Sequence, residues 1–413
     1  MSIPYSKLPP SAKISPDPFH VDIPDENISE FKALVKLSKL APPTYEDLQQ
    51  DRRYGVTSDW LNTMREKWLN SYDWRETETR INGFPQFTTK IEDVTLHFAA
   101  LFSEKADAIP VILLHGWPGS FLEFLPILKL FKEEYAPDTL PFHLIVPSLP
   151  GYGFSSGPPL DREYTSFDVA RVFDQLMKGL GFEAGYVTQG GDIGSRLSRV
   201  LAVEFESCKV NFCTIPRPQG STDENLTDTE KRGVERLDKF MTTGTAYAIE
   251  QGTRPSTIGH ILSTNPMALL AWVGEKFLDW VDDPLPSETI LDFVSLYWFT
   301  ETYPRAIYFY REDFPHRRFT SELNGRYFIH KPFGFSYFPK ELYPAPRPWI
   351  ATTGNLVFFQ DHQKAWTSIP FRSFQLTNFT QGGHFAALER PQDLKKDLTE
   401  FIEQVWPGIA PSK

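Results

Sequence analysis

The sequence predicts an α/β protein with a mostly parallel central sheet and helices on both faces. Three observations carry that expectation. Continuous apolar runs at Val111–Leu114, Phe142–Val146 and Gly185–Thr188 have the form of central parallel strands, which are covered on both faces and need not alternate. Segments of helical periodicity, Phe121–Lys132 and Phe167–Leu180, lie between them and give repeated βα units. A glycine-crowded turn, Gly190-Gly191-Asp192-Ile193-Gly194-Ser195, follows the third run and opens a helical pattern from Arg196 to Phe205.

Taken in order, residues 1–90 read as an N-terminal extension packing on the core, with helical patterns at Ile28–Leu40 and Ser58–Tyr72. Residues 91–216 form the first part of the α/β core, opened by a half-buried strand in which Val94, Leu96 and Phe98 alternate with polar or small residues. Residues 217–335 change character: helical patterns at Glu230–Glu250, Pro266–Trp280 and Ser287–Thr300 run together without a clear strand, as in a helical lid. Residues 336–413 return to the core, with strand-like runs at Trp349–Thr353 and Asn355–Phe359 and a closing helix from Pro391 to Val405.

Composition narrows the function. At 413 residues, 41% of them hydrophobic and 23% charged, the chain can bury a large core. A net charge of −11 argues against nucleic acid as a partner. Two cysteines, Cys208 and Cys213, have no metal-like spacing with histidine and cannot make a disulfide scaffold. No signal pattern and no run of 18 apolar residues is seen, so a soluble, cytoplasmic protein without a membrane partner is expected.

Four features at the ends of expected strands carry chemistry. Strand, sharp turn and helix around Asp192 match the context of the nucleophile elbow of α/β-hydrolases, where small neighbours tolerate strained backbone. An Asp in place of the usual Ser turns the chemistry towards attack by a carboxylate on an electrophilic carbon. His115-Gly116-Trp117-Pro118-Gly119-Ser120 follows the Val111 strand, so the Trp117 backbone N–H can form an oxyanion hole with that of Ile193. His384, in Gly382-Gly383-His384-Phe385, is the candidate base. Glu341 is the candidate acid to orient it, and Asp361 in Phe359-Gln360-Asp361-His362 competes for that role. Each has a bland alternative. Asp192 could simply cap the helix beginning near Ile193. Glu341 could be a solvated acid beside Lys340.

With these residues the chain resembles an epoxide hydrolase of the α/β-hydrolase superfamily, in the subgroup akin to the microsomal enzymes and nearest its soluble fungal members. The elbow, the His-Gly-Trp-Pro turn and Gly382-Gly383-His384-Phe385-Ala386-Ala387-Leu388-Glu389 carry the resemblance, which extends over essentially the whole chain. It implies that two lid tyrosines hold the epoxide oxygen. By position these are Tyr247 and Tyr310, with Tyr308 two residues from the second, and lid packing is the alternative role for Tyr247 and Tyr310. It further implies an alkyl ester on Asp192, hydrolysed by water that His384 activates, with no cofactor, an epoxide and water as partners, and a possible homodimer. A haloalkane dehalogenase shares the Asp elbow and the ester, but needs halide-holding Trp or Asn side chains in place of paired phenols. One stretch departs from the family. Residues 363–381 are aromatic and apolar where a short connection is usual, so they are either a genuine insertion or translated sequence such as a retained intron.

Overall fold

The computed structural model describes residues 3–213, 226–313, 327–362 and 382–409, and the atypical stretch 363–381 lies outside them. Among the described residues nine strands form one sheet: β1 (Asp17–Phe19), β2 (Gln86–Ile91), β3 (Val94–Leu101), β4 (Ile109–Leu114), β5 (Phe142–Pro147), β6 (Tyr186–Gly190), β7 (Cys208–Cys213), β8 (Ile329–Tyr337) and β9 (Gly354–Asp361). Their spatial order is β1-β2-β3-β5-β4-β6-β7-β8-β9. From β5 to β9 every pairing is parallel, whereas β1, β2 and β3 extend the sheet antiparallel. This is an α/β-hydrolase fold.

The central strands are almost wholly buried, as their unbroken apolar character requires. Helix Ser166–Gly179 starts at a capping box in which the Thr165 N–H donates to Asp168 Oδ2 at 2.9 Å. Helix Pro391–Val405 buries Leu394, Leu398, Phe401 and Ile402, the i, i+4, i+7, i+8 stripe of an amphipathic helix lying on the sheet.

Three expectations need correction. Trp349–Thr353 is not a strand: Arg347–Ala351 is a short helix, because Pro346 and Pro348 preset helical entry and the Trp349 N–H closes a turn onto the Pro346 carbonyl at 2.9 Å. The Glu230–Glu250 pattern is two helices, Asp228–Thr243 and Ala246–Thr253, interrupted at Gly244. Strands β7 and β8 lie where no strand was expected. Lys331, Pro332 and Gly334 are poor strand residues, and a register shift between Ile329 and Pro332 accommodates the proline.

Between β7 and β8 the regular elements among the described residues are all helices. Buried polar contacts pin this segment to the N-terminal helices Ser58–Asn70 and Trp74–Asn82. Trp68 Nε1 donates to Ser295 Oγ at 2.9 Å. Asp292 accepts from Tyr72 Oη at 3.0 Å and Thr77 Oγ1 at 2.5 Å, and pairs with Arg80. Hydrogen bonds to a buried charge are among the stronger ones, so the helical segment has a fixed footing against the core. No helix among the described residues is long and apolar enough to cross a membrane.

Candidate active site

The register of two central strands builds the site. Parallel pairing sets Leu114 of β4 opposite Gly190 of β6, so the turns that leave both strands lie side by side at their carboxyl ends. One turn carries Trp117 and the other Asp192. Asp192 is the first residue of helix Asp192–Glu204, and its φ of 51° puts it in the left-handed region, where a non-glycine residue is strained. That conformation aims the carboxylate out of the helix. The Trp117 N–H donates to Asp192 Oδ1 at 2.8 Å, and the Ile193 N–H also favours the charged carboxylate. Gly116 leaves room for this approach, since a Cβ there would lie 2.1 Å from Asp192 Oδ1.

His384 faces the other carboxylate oxygen. Its Nε2 is 3.4 Å from Asp192 Oδ2, and its Nδ1 is 2.6 Å from Glu341 Oε1. Of the two acids that could have partnered His384, Glu341 makes the contact, while Asp361 ends β9 with an exposed side chain. Glu341 follows β8, the strand that the sequence pattern hid. The Leu342 N–H holds its Oε1 at 2.5 Å. Burial alone would push the His384 imidazole down, but the carboxylates of Glu341 and Asp192 outweigh it and hold His384 well above its ordinary value. Burial likewise opposes ionisation of Asp192, yet His384 and the two N–H donors keep its pKa below normal. Both shifts favour a carboxylate beside an imidazolium.

The sign of the linkage follows. His384 has a raised folded pKa, so its contribution to stability is complete below about pH 6.5 and is lost as pH rises through the higher folded value. In Asp192→Ala one of the two anions is gone, so the His384 imidazole resonances should titrate at lower pH than in the wild type by NMR. An unchanged titration would mean that Asp192 does not set the charge of His384.

The two tyrosines singled out in the sequence sit over Trp117. Tyr247 stacks on its indole, with ring centroids 5.1 Å apart and planes 13° apart, and Tyr310 meets the same ring edge-on at 5.8 Å. The two phenol rings meet edge to face with centroids 5.8 Å apart, and each phenol influences the other's ionisation. Burial, then Asp192, raises Tyr247; burial, then Tyr247 and Asp192, raises Tyr310. Both phenols therefore keep their protons. Tyr308 points elsewhere and donates to the Pro150 carbonyl at 3.2 Å. An ion pair from Arg196, in the helix that Asp192 opens, to Asp313 ties the Tyr310 turn to the elbow.

Three further residues belong to the site, of which only Glu389 lay in a motif that the sequence singled out. Trp280 packs edge-on against His384 at 5.1 Å and touches both Trp117 and Tyr247, and its carbonyl accepts the His384 N–H at 2.8 Å. Glu389 clasps the histidine loop to the helical segment, its carboxylate accepting the Asp282 N–H at 2.7 Å and the Gly383 N–H at 3.2 Å. Glu123 lies beneath the His-Gly-Trp-Pro turn. The contacts of Trp280 with His384 and of Glu389 with Asp282 join distant parts of the chain, and only the fold creates them, whereas those of Glu123 are local.

Comparison with known proteins gives the family. The model of the epoxide hydrolase N terminus matches residues 16–124, and that of the alpha/beta hydrolase fold matches residues 109–391. The structure of Aspergillus niger epoxide hydrolase is similar at a TM-score of 0.90 and 61% identity, over 98% of this chain and 100% of that one. A Dothistroma septosporum protein, provisionally named an epoxide hydrolase, is 39% identical over 412 residues, covering 97% of this chain and 92% of its own. The crystal structure of juvenile hormone epoxide hydrolase from the silkworm Bombyx mori, at 24% identity and a TM-score of 0.78 over 98% of this chain and 99% of that one, shares the fold. An Asp elbow facing a His–Glu pair beneath two phenols, on a chain matched by these models and relatives over nearly its whole length, makes this enzyme a member of the epoxide hydrolases of the α/β-hydrolase fold.

Proposed function

We propose that the enzyme converts epoxides to vicinal diols in two steps through an alkyl ester on Asp192. The observation that carries the reading is the division of labour across one carboxylate: Oδ1 is held by the Trp117 N–H at 2.8 Å, and Oδ2 faces His384 at 3.4 Å. Oδ2 is then free to attack a ring carbon from the His384 side, while Oδ1 already lies where an oxyanion would form. The helices between β7 and β8 act as the lid that brings Tyr247 and Tyr310 over the site, and residues 1–90 act as the extension that braces it.

In the first step a bond forms between Asp192 Oδ2 and the epoxide carbon, and the strained C–O bond breaks. The leaving oxygen would be an alkoxide, a poor leaving group unless hydrogen-bonded as it departs. Two neutral phenols are suited to that, since they donate strongly without being acids at neutral pH. The ester is uncharged, so His384 loses one of the anions that held its proton. That proton passes to the alkoxide through the phenols, leaving His384 neutral and competent as a base.

In the second step His384, oriented by Glu341, takes a proton from water as the water oxygen bonds to Asp192 Cγ. The N–H groups of Trp117 and Ile193 stabilise the oxyanion on Oδ1. Collapse breaks the ester bond, the departing alkoxide takes the carboxyl proton, and the carboxylate–imidazolium pair is restored. No step calls for a cofactor.

His384→Gln tests this scheme. Alkylation survives and hydrolysis does not, so incubation with styrene oxide should raise the intact mass of the variant by one epoxide. If its mass is unchanged while the wild type turns over, the covalent mechanism is wrong.

A further inference from the structure

We infer that Glu123 is a water-positioning residue for the second step, its carboxyl holding the water molecule that His384 deprotonates. The inference rests on the covalent reading above. Glu123 lies in the 3₁₀ turn Phe121–Phe124, directly after the Trp117 turn. Its carboxyl occupies the place of a missing side chain: a Cβ built on Gly119 would lie 1.4 Å from Glu123 Oε1. The side chain is deep in the molecule yet, like that of Asp192, partly accessible. Glu123 is coupled electrostatically to both His384 and Asp192.

The hydrogen-bond inventory gives the reason. A water that attacks Cγ has two O–H groups, and only one can be taken by His384 Nε2. In a buried site the other costs free energy unless an acceptor meets it. The groups around this spot are mostly donors: the N–H groups of Trp117 and Ile193 and the phenols of Tyr247 and Tyr310. Glu341 is already engaged by His384 Nδ1 and the Leu342 N–H. The Tyr297 hydroxyl is spent on the Gly119 carbonyl at 2.8 Å. Glu123 is a carboxyl acceptor beside the Trp117 turn, coupled to both His384 and Asp192, and its two oxygens offer lone pairs to a water. Burial pushes Glu123 up to about 8, the charge on His384 opposing and that on Asp192 adding to the shift. Its carbonyl oxygen accepts in either protonation state, so the role does not depend on ionisation. The water proton goes to His384, its oxygen to Cγ, and Glu123 keeps its own protonation state.

The test separates the two steps. In rapid-quench experiments with styrene oxide followed by intact mass, Glu123→Ala should alkylate at close to the wild-type rate but hydrolyse the ester about tenfold or more slowly, so the ester accumulates during turnover. Glu123→Gln keeps an acceptor of the same shape and should restore most of the hydrolysis rate. Gly119→Ala displaces the carboxyl without removing it and should reproduce the Glu123→Ala defect. This second route holds even if Glu123→Ala folds poorly. A role confined to capping the 3₁₀ turn would lower thermal stability and leave the ratio of the two rates unchanged, and that result would overturn the inference. If His384→Gln traps an ester but neither Glu123→Ala nor Gly119→Ala accumulates one, Glu123 has no part in hydrolysis and the covalent scheme stands. If His384→Gln traps none, the scheme itself fails and this inference falls with it.

Discussion

Asp192→Ala should lose about 10⁴-fold or more of epoxide turnover, the scale on which enzymes lose activity when a nucleophile is removed. It should do so with little change in fold. The carboxylate leaves the helix at its first residue and is held by polar partners, the Trp117 N–H and His384, so its removal costs little apolar packing. Two effects on stability act in opposite directions. The ion pair with His384 is lost, which costs something at neutral pH, while a buried charge that opposed folding is also removed. Activity and the thermal midpoint are the measurements. Wild-type turnover in the variant would mean that another group attacks the epoxide, and an unfolded variant would mean that Asp192 has a structural duty its contacts do not reveal.

The second large effect is expected for the paired phenols. Tyr247→Phe and Tyr310→Phe each remove one donor, and a hydrogen bond to a charged oxygen is worth about 1.5–3 kcal/mol, or roughly a tenfold to hundredfold loss in alkylation rate. Removing both should abolish alkylation within detection, because the alkoxide then departs into a site lined by Trp117 and Trp280 without a donor aimed at it. Both rings remain to pack, so stability should change little. Single-turnover mass measurements decide the matter: near-normal alkylation by the double variant would remove the tyrosines from the reaction. Tyr308→Phe provides the control, since its hydroxyl is committed to the Pro150 carbonyl and should be silent in the chemistry.

Much of the site was legible before the fold. Asp192, Trp117 and His384 each sit in a short glycine-containing motif whose function depends on local backbone geometry, and local geometry is what neighbouring residues encode. The order of those motifs between expected strands also carried the fold class, because unbroken apolar runs separated by helical periods admit few arrangements other than a parallel sheet. Tyr247 and Tyr310 were placed by resemblance alone. Nothing in Thr245-Ala246-Tyr247-Ala248 or Ile307-Tyr308-Phe309-Tyr310 distinguishes a phenol over the nucleophile from one packed in a helical segment.

What the tertiary structure decided is long-range by nature. Whether Glu341 or Asp361 meets His384 depends on where β8 ends, and β8 is a strand whose Lys331, Pro332 and Gly334 conceal it, held in the sheet by β7 and β9 on either side. Tyr310 meets the Trp117 ring while Tyr308 is turned to the Pro150 carbonyl, and Arg196, more than a hundred residues earlier in the chain, ties that turn to the elbow through Asp313. Trp280 reaches His384, and Glu389 clasps the histidine loop to residues 282 and 283, only because a helical excursion of the chain folds back over the carboxyl ends of β4 and β6. Sequence by itself determined the motifs, because a turn is set by the sterics of a few adjacent residues. Side-chain partners were decided by packing, because burial and charge compensation depend on everything brought within a few ångströms, whatever its distance along the chain.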